Sequence, residues 1–390
     1  MSKLGELICE FCSNGVETVK IKNAFQRLKG TPITAARMKE INNPGGEIKV
    51  FAGGKTVITA KEKDIPNANI IRVPAVLVQS RGVIDVIYYD KPFTFKNEMW
   101  AYTTSDSTTV KYLFYVLKNN VQRFRDAASG MGSLPQISLP VTEEFEIPLP
   151  PIEVQREIVR ILDNFTELTA ELTAELTARQ KQYAFYRNKL LTFGKTEGAR
   201  IERISLGDIG SICMCKRILK SQTNTVGGVP FYKIGTFGKK ADSYISQETF
   251  DKYRSKYNFP KKGDVLISAA GTIGRTVVYD GEPAYFQDSN IVWIDNDESV
   301  VLNSYLRYCY ELKPWKASEG GTIPRLYNDN IAKAVIAVPS IEEQKRIVSI
   351  LDRFDAICND LTSGLPAEIE ARQKQYEYCR DKLLTFKERG

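Results

Sequence analysis

Arginine and lysine set among glycine, threonine and asparagine recur along this sequence, a grouping suited to contact with a polyanion. Arg27, Lys29, Thr31 and Arg37 surround Gly30-Thr31-Pro32, and Lys216, Arg217, Lys239 and Lys240 lie in glycine-bordered polar stretches further on. From such loops a lysine reaches phosphate oxygens or a base edge, an arginine can pair both acceptors of a guanine, and hydroxyls serve either partner. The stretch Gly271-Thr272-Ile273-Gly274-Arg275 is the sharpest case, with Arg81-Gly82 at the matching place nearer the start. A glycine-rich tip brings backbone close to a partner while the adjacent arginine reaches into a groove. Thr272, Arg275, Arg81 and Arg325 complete the candidate contacts; for any single residue of the Arg27–Arg37, Lys216–Arg217 and Lys239–Lys240 clusters, solvated surface is an equal reading.

Signatures of covalent or metal chemistry are missing. The chain has no histidine, which removes the usual general base and the imidazole metal ligands. Gly53-Gly54-Lys55-Thr56 ends like a phosphate-binding loop, but that pattern needs glycine five residues before Gly54, where Lys49 stands. The Asn-Pro-Pro-Tyr and Asp-Pro-Pro-Tyr tetrapeptides of amino-methyltransferases do not occur, and no glycine-rich cofactor loop follows a strand pattern. The acid pairs Glu143/Glu144 and Glu342/Glu343 read as solvated carboxylates near helix N-termini. Seven scattered cysteines, Cys9, Cys12, Cys213, Cys215, Cys309, Cys358 and Cys379, suit free thiols in a reducing compartment. Cys9 and Cys12 have C-x-x-C spacing without the further ligands a zinc site needs, so no metal is expected. No run approaches the roughly 18 apolar residues of a membrane span. Residues 1–15 lack a secretory signal, and a cytoplasmic location is expected.

The elements that must position these loops are announced by an internal repeat. Ile152-Glu-Val-Gln-Arg-Glu-Ile-Val-Arg-Ile-Leu-Asp-Asn-Phe165 recurs 189 residues later as Ile341-Glu-Glu-Gln-Lys-Arg-Ile-Val-Ser-Ile-Leu-Asp-Arg-Phe354. Further on, Ala178-Arg-Gln-Lys-Gln-Tyr183 and Arg187-Asn-Lys-Leu-Leu-Thr-Phe193 recur at an offset of 193, so the second copy holds four extra residues between its blocks. Weaker matches reach upstream: Gly132-Ser-Leu-Pro135 with Gly321-Thr-Ile-Pro324, and Val76 through Gly82 with Val265 through Gly271. In the first copy Ile158, Leu162, Phe165, Leu172, Leu176, Tyr183, Tyr186, Leu190 and Phe193 fall on a 4-3 alternation, with Thr169 and Arg179 as polar interruptions, the seam of a coiled coil. Ile347, Leu351, Phe354, Leu361, Tyr376 and Leu383 continue it in the second. The first helix, from Pro150-Pro151 to near Gly194, would be on the order of 60 Å long. The second starts after Pro339 and should break or kink at Ser363-Gly-Leu-Pro366.

Residues 1–150 and 195–338 are therefore expected to be globular, with helices over 151–194 and 339–390. Val76–Val78, Val83–Tyr89, Val265–Ile267, Thr276–Tyr279 and Ile291–Ile294 read as strands, and Thr109–Phe124 and Leu302–Leu312 as helices. The fold class is α+β: two mixed α/β domains separated by two long helices forming an antiparallel coiled coil. Hydrophobic residues at 43% can fill such cores. Of the net charge of +7, residues 1–150 and 200–338 each carry about +4, and the helical segments supply the small negative remainder. That suits domains that touch phosphate and helices that touch protein.

With these features together, the chain resembles the specificity subunits of type I restriction-modification systems. The resemblance is carried by Ile158-Val-Arg-Ile-Leu-Asp163 and Ile347-Val-Ser-Ile-Leu-Asp352, the Arg-Gln-Lys-Gln-Tyr blocks at 179 and 372, and the Lys-Leu-Leu-Thr-Phe endings, and it covers the whole chain. It implies two target-recognition domains, each reading one half of a bipartite site on double-stranded DNA. It implies helices that act as a ruler and dock two DNA adenine methyltransferase subunits, with restriction/translocase subunits joining that core. No cofactor is then expected on this chain; S-adenosylmethionine, ATP and Mg belong to the partners. Leu168-Thr-Ala-Glu-Leu-Thr-Ala-Glu-Leu-Thr-Ala178 looks like the tetrapeptide repeat of some members, each unit adding about 6 Å of helix. Two other readings stay open on sequence: a coiled-coil adaptor for partners other than nucleic acid, and an enzyme with an unrecognised site in one domain.

Overall fold

The computed structural model describes residues 2–54, 56–65, 67–129, 134–193, 201–316 and 325–388. Lys55, Gly132-Ser133, Gly194 and Gly321–Pro324, which entered the reading above, lie outside them. The chain forms two compact units, one of Met1–Thr173 with Glu368–Gly390, the other of Ala174–Ala367.

Among its described residues the first unit holds nine strands: β1 Thr18–Lys20, β2 Gln26–Leu28, β3 Ile48–Phe51, β4 Val57–Ala60, β5 Ala75–Gln79, β6 Asp85–Tyr89, β7 Phe93–Phe95, β8 Trp100–Thr103 and β9 Glu146–Pro148. They make sheets of order β2-β8-β5-β6 and β4-β3-β7, and a β1-β9 ribbon. The second unit holds β10 Glu202–Ser205, β11 Ser211–Met214, β12 Val229–Tyr232, β13 Tyr244–Ile245, β14 Val265–Ser268, β15 Thr276–Val278, β16 Tyr285–Phe286, β17 Ile291–Asp295 and β18 Val335–Val338. Their sheets repeat the pattern strand for strand, as β11-β17-β14-β15, β13-β12-β16 and β10-β18. The parallel pairing of β3 with β7 recurs as that of β12 with β16.

The central strands are buried on both faces, which their unbroken apolar runs require. Along β5, Val76 and Val78 enter one core cluster while Ala75 and Leu77 enter another. Along β14, Val265 and Ile267 face one cluster and Leu266 the other. Alternation at a period of two thus sends successive side chains into different cores. The helix Ser107–Asn119 covers the first four-stranded sheet, its start capped by Asp106, whose carboxylate accepts from the Thr109 N–H at 2.9 Å. Asn303–Glu311 takes the corresponding place in the second unit.

Ile152–Thr192 forms one helix of 41 residues. In the first unit its Val154, Ile158 and Leu162 are fully buried in the same core as Leu113 and Val116. The helix Leu365–Leu383 returns antiparallel beside it: the Phe165 and Tyr376 rings meet at 6.4 Å, while Glu157 and Ile161 share a surface hollow with Cys379 and Leu383. In the second unit the partner is the helix Ile341–Asn359, whose Ile347 and Leu351 are fully buried. There Phe354 packs on Tyr183 and stacks on Tyr186 at 5.7 Å, and Leu176 and Leu190 lie against the same core. Leu172 is half-buried.

The break expected near Ser363 falls at residues 360–364. The Asp360 carboxylate accepts from the Thr362 N–H at 2.7 Å and from the Thr362 and Ser363 hydroxyls at 2.6 and 2.5 Å, contacts that hold it well below the usual carboxylate range. A Cβ on Gly364 would meet the Ala356 carbonyl oxygen at 2.5 Å, so the chain turns there only with glycine. This turn corrects one seam assignment: Leu361 is 76% exposed, because it stands in the turn rather than on a helix.

Candidate nucleic-acid interface

At the end of β5 the chain turns at Gly82, whose φ of +78° suits glycine. A strap laid beside the turn is held by the Ile137 N–H to the Ser80 carbonyl at 2.9 Å and the Gly82 N–H to the Pro135 carbonyl at 2.9 Å. The second unit builds the same cradle at the end of β14: Gly271 has φ +66°, and the Leu326 N–H donates to the Ala269 carbonyl at 2.8 Å. Arg81 bridges to Gln136 in one and Ala270 to Arg325 in the other. Ile137 and Leu326 are buried beneath their straps and anchor them.

An open groove runs beside each strap. The first, of about 590 Å³, is walled by Arg27, Lys29, Asn97 and Trp100 and by Gln136 and Ser138 of the strap. The second, of about 690 Å³, is walled by Ser289, Arg325, Tyr327, Asn328, Asn330 and Lys333. Both combine cations with amides and hydroxyls, the chemistry that meets phosphates and base edges, and each also carries one carboxylate, Glu98 in the first and Asp329, 3.9 Å from Lys333, in the second. The connection from β3 to β4 leans on the first cradle, with the Gly54 N–H donating to the Arg81 carbonyl at 3.2 Å and Gln79 Nε2 to the Gly54 carbonyl at 2.7 Å. In the second unit the connection from β12 to β13 does the same, tied by Arg275 Nη1 to the Phe237 carbonyl at 2.9 Å.

The sequence candidates separate on this frame. Arg27, which pairs with Glu143 at 3.3 Å, and exposed Lys29 stand in the first groove, with exposed Arg81 at the cradle turn. Thr31 must be withdrawn as a contact: it is fully buried, its hydroxyl bonded to Thr94 Oγ1 at 2.7 Å and accepting from the Asn69 N–H at 2.9 Å. Arg37 lies on the short helix Ala35–Glu40, paired with Glu40 at 2.9 Å and donating to the Asp64 carbonyl, and is not among the groove residues. In the second unit Arg325 Nη2 donates to the Ser289 carbonyl at 3.1 Å within the groove wall. Arg217 pairs with Asp288 at 3.0 Å, next to that wall. Lys216 sits over the Tyr257 ring at 5.2 Å, and Lys239, Lys240 and Thr272 are exposed. Arg275 departs from expectation, because its guanidinium ties two loops together rather than extending from the tip.

Asn97, Gln136, Ser138, Ser289, Tyr327, Asn328 and Asn330 escaped the sequence reading. A pointer existed for the strap residues, which directly follow the repeated Gly-Ser-Leu-Pro and Gly-Thr-Ile-Pro segments.

Each domain is also pinned to a helix. The Tyr115 hydroxyl donates to Asp163 at 2.5 Å beside a Lys111–Asp163 ion pair at 2.8 Å, and the Tyr308 hydroxyl donates to Asp352 at 2.5 Å beside an Arg307–Asp355 pair at 2.5 Å. Burial and the neighbouring carboxylate push both phenols upward, so they stay protonated donors. In the second unit Glu311 further accepts from the Tyr183 hydroxyl at 2.9 Å and from Arg187 at 2.8 Å. Among the described residues no cluster of three or more Cys, Asp or Glu could hold a metal ion, and no helix is long and apolar enough to cross a membrane.

The family model described as the type I restriction modification DNA specificity domain matches residues 14–179 and again 200–371, one match for each copy of the fold. The chain belongs to the type I restriction-modification specificity subunits. It is 58% identical over 252 residues to a type I restriction enzyme specificity subunit of Haemophilus influenzae, a match spanning 63% of this chain and 64% of that one. It is 30% identical over 366 residues to the EcoR124I/EcoR124II specificity subunit of Escherichia coli, covering 87% of each. The crystal structure of the S subunit of a type I system from M. genitalium shares the fold, with a TM-score of 0.63 at 16% identity over 94% of this chain and 96% of that one. In this specificity subunit each matched region holds one target-recognition domain together with part of a helix, and the duplicated cradles and grooves lie one in each.

Proposed function

We propose that this specificity subunit carries no catalytic centre of its own and reads duplex DNA with the two grooves, one half-site each. Lys29, Arg27 and Gln136 serve the first groove, and Arg325, Asn328 and Asn330 the second. The observation that supports this most strongly is the repetition of one cradle, with a matching strap hydrogen bond (Ile137 to Ser80, Leu326 to Ala269) and the same left-handed glycine, beside two polar grooves that each carry two cations. A binder of one continuous sequence has no need of the duplicate; a bipartite site needs one reader for each part.

The helices hold the remaining subunits in this reading. Two adenine methyltransferase subunits dock on the outer faces of the paired helices, where the repeat offers similar residues twice, and restriction/translocase subunits join that core. S-adenosylmethionine, ATP and magnesium bind on those partners, in the cytoplasm. The test is binding of the assembled chain and methyltransferase subunits to duplex DNA as salt is raised. Tight binding to one two-part sequence, with log K falling linearly against log salt, supports the reading; a flat response without sequence preference would favour an adaptor for another kind of partner.

A further inference from the structure

One duplicated fold that must recognise two different half-sites sorts its residues into two kinds. Those repeated between the domains suit what the half-sites share, the sugar-phosphate backbone; those that differ suit the bases. The cradle is of the first kind, built from the matched stretches Val76–Gly82 and Val265–Gly271 with the strap bond of Ile137 to Ser80 repeated as that of Leu326 to Ala269. The connection leaning on it is of the second kind. Between corresponding strands it runs over residues 52–56 in the first domain and over the longer stretch 233–243 in the second.

We propose that the loop of residues 233–243 contributes to the base preference of the second half-site through Lys239 and Lys240, in addition to the groove residues Arg325, Asn328 and Asn330, while the repeated cradle and, outside that repetition, Lys333 in the groove wall grip the backbone. This rests on the reading that each domain contacts duplex DNA. The loop is a shaped platform: the Thr236 N–H donates to the Lys233 carbonyl at 3.0 Å, the Lys239 N–H to the Thr236 carbonyl at 2.9 Å, and Gly238 turns the chain at φ +72°. Arg275 clamps it to the cradle through the Phe237 carbonyl. Lys233 is engaged with Asp242 at 2.8 Å. Lys239 and Lys240, by contrast, are exposed and have no ion-pair partner among the described residues. An ammonium presented from such a frame matches the O6 and N7 acceptors of guanine in the major groove.

The experiment maps methylated adenines across the genome of a host expressing the full chain with its methyltransferase subunits, using K239A/K240A and, separately, K333A. Both sets of side chains are exposed, and a K239R/K240R variant controls for folding. The proposal expects K239A/K240A to lose roughly tenfold or more of its discrimination at guanine positions of one half-site, with the other half-site and the gap unchanged. K333A should lower methylation alike at every site, with the motif intact and a shallower salt dependence. A K239A/K240A motif identical to wild type, or a motif altered by K333A, would overturn the division of roles. Absence of any two-part motif in the wild type would instead remove the reading beneath it, and the proposal with it.

Discussion

The Tyr308 hydroxyl donates to the Asp352 carboxylate at 2.5 Å, and Tyr115 repeats that bond to Asp163 on the other copy of the helix. The two acceptors stand 189 residues apart, at the same place in the repeat. A hydrogen bond to a charged group contributes about 1.5–3 kcal/mol. Tyr308→Phe should therefore cost that much in denaturant unfolding of the second unit and leave the methylated motif unchanged. A variant as stable as wild type would show that apolar packing alone seats the domain.

Leu351 and Leu361 look alike in sequence and differ in burial, fully enclosed against 76% exposed. Leu351→Ala should lose about 2–5 kcal/mol through the cavity it leaves. Leu361→Ala should stay within about 0.5 kcal/mol of wild type. Urea unfolding of both variants separates a core position from a turn position.

Gly271 holds φ +66°, and a Cβ there would meet nothing closer than Ile234 Cγ1 at 3.4 Å. Gly271→Ala therefore pays a conformational cost, about 1–2 kcal/mol, without a steric clash. If the cradle touches DNA, that variant also methylates more slowly at unchanged motif. Methylation timed at fixed protein concentration reads this, and an unaltered rate would detach the cradle from the interface.

The tetrapeptide segment lies wholly within the helix Ile152–Thr192, and its Thr169 and Thr173 each return their hydroxyl to the carbonyl four residues back. One more Thr-Ala-Glu-Leu unit lengthens the helix by about 6 Å. At about 3.4 Å per base pair, the gap between half-sites should widen by one or two pairs. Methylation mapping of the extended protein checks this, with an unchanged gap as the contrary result.

The repeat made the helices and the order of the chain legible, because Ile347, Leu351 and their counterparts obey a spacing that solvent and core enforce. Leu361 kept the apolar residue type, but the Asp360 turn that exposes it rests on side-chain hydrogen bonds that hydropathy does not register. Thr31 and Arg275 were misjudged for a related reason. Both are polar residues near glycines, and only the fold reveals that Thr94 and the Phe237 carbonyl occupy their hydrogen-bonding groups. The groove residues Gln136 and Arg325 stand far along the chain from the strand ends they flank, a pairing that only the sheet topology brings about.

The central claim is that two separate readers each govern one part of a divided DNA site. Arg27→Ala with Lys29→Ala, in the full chain with its methyltransferase subunits, tests it through the genome-wide pattern of methylated adenines. The account predicts a two-part motif in the wild type, and in the variant weaker methylation or relaxed bases confined to one part, with the other part and the gap intact. A single continuous motif, or a lesion that alters both parts alike, would contradict it.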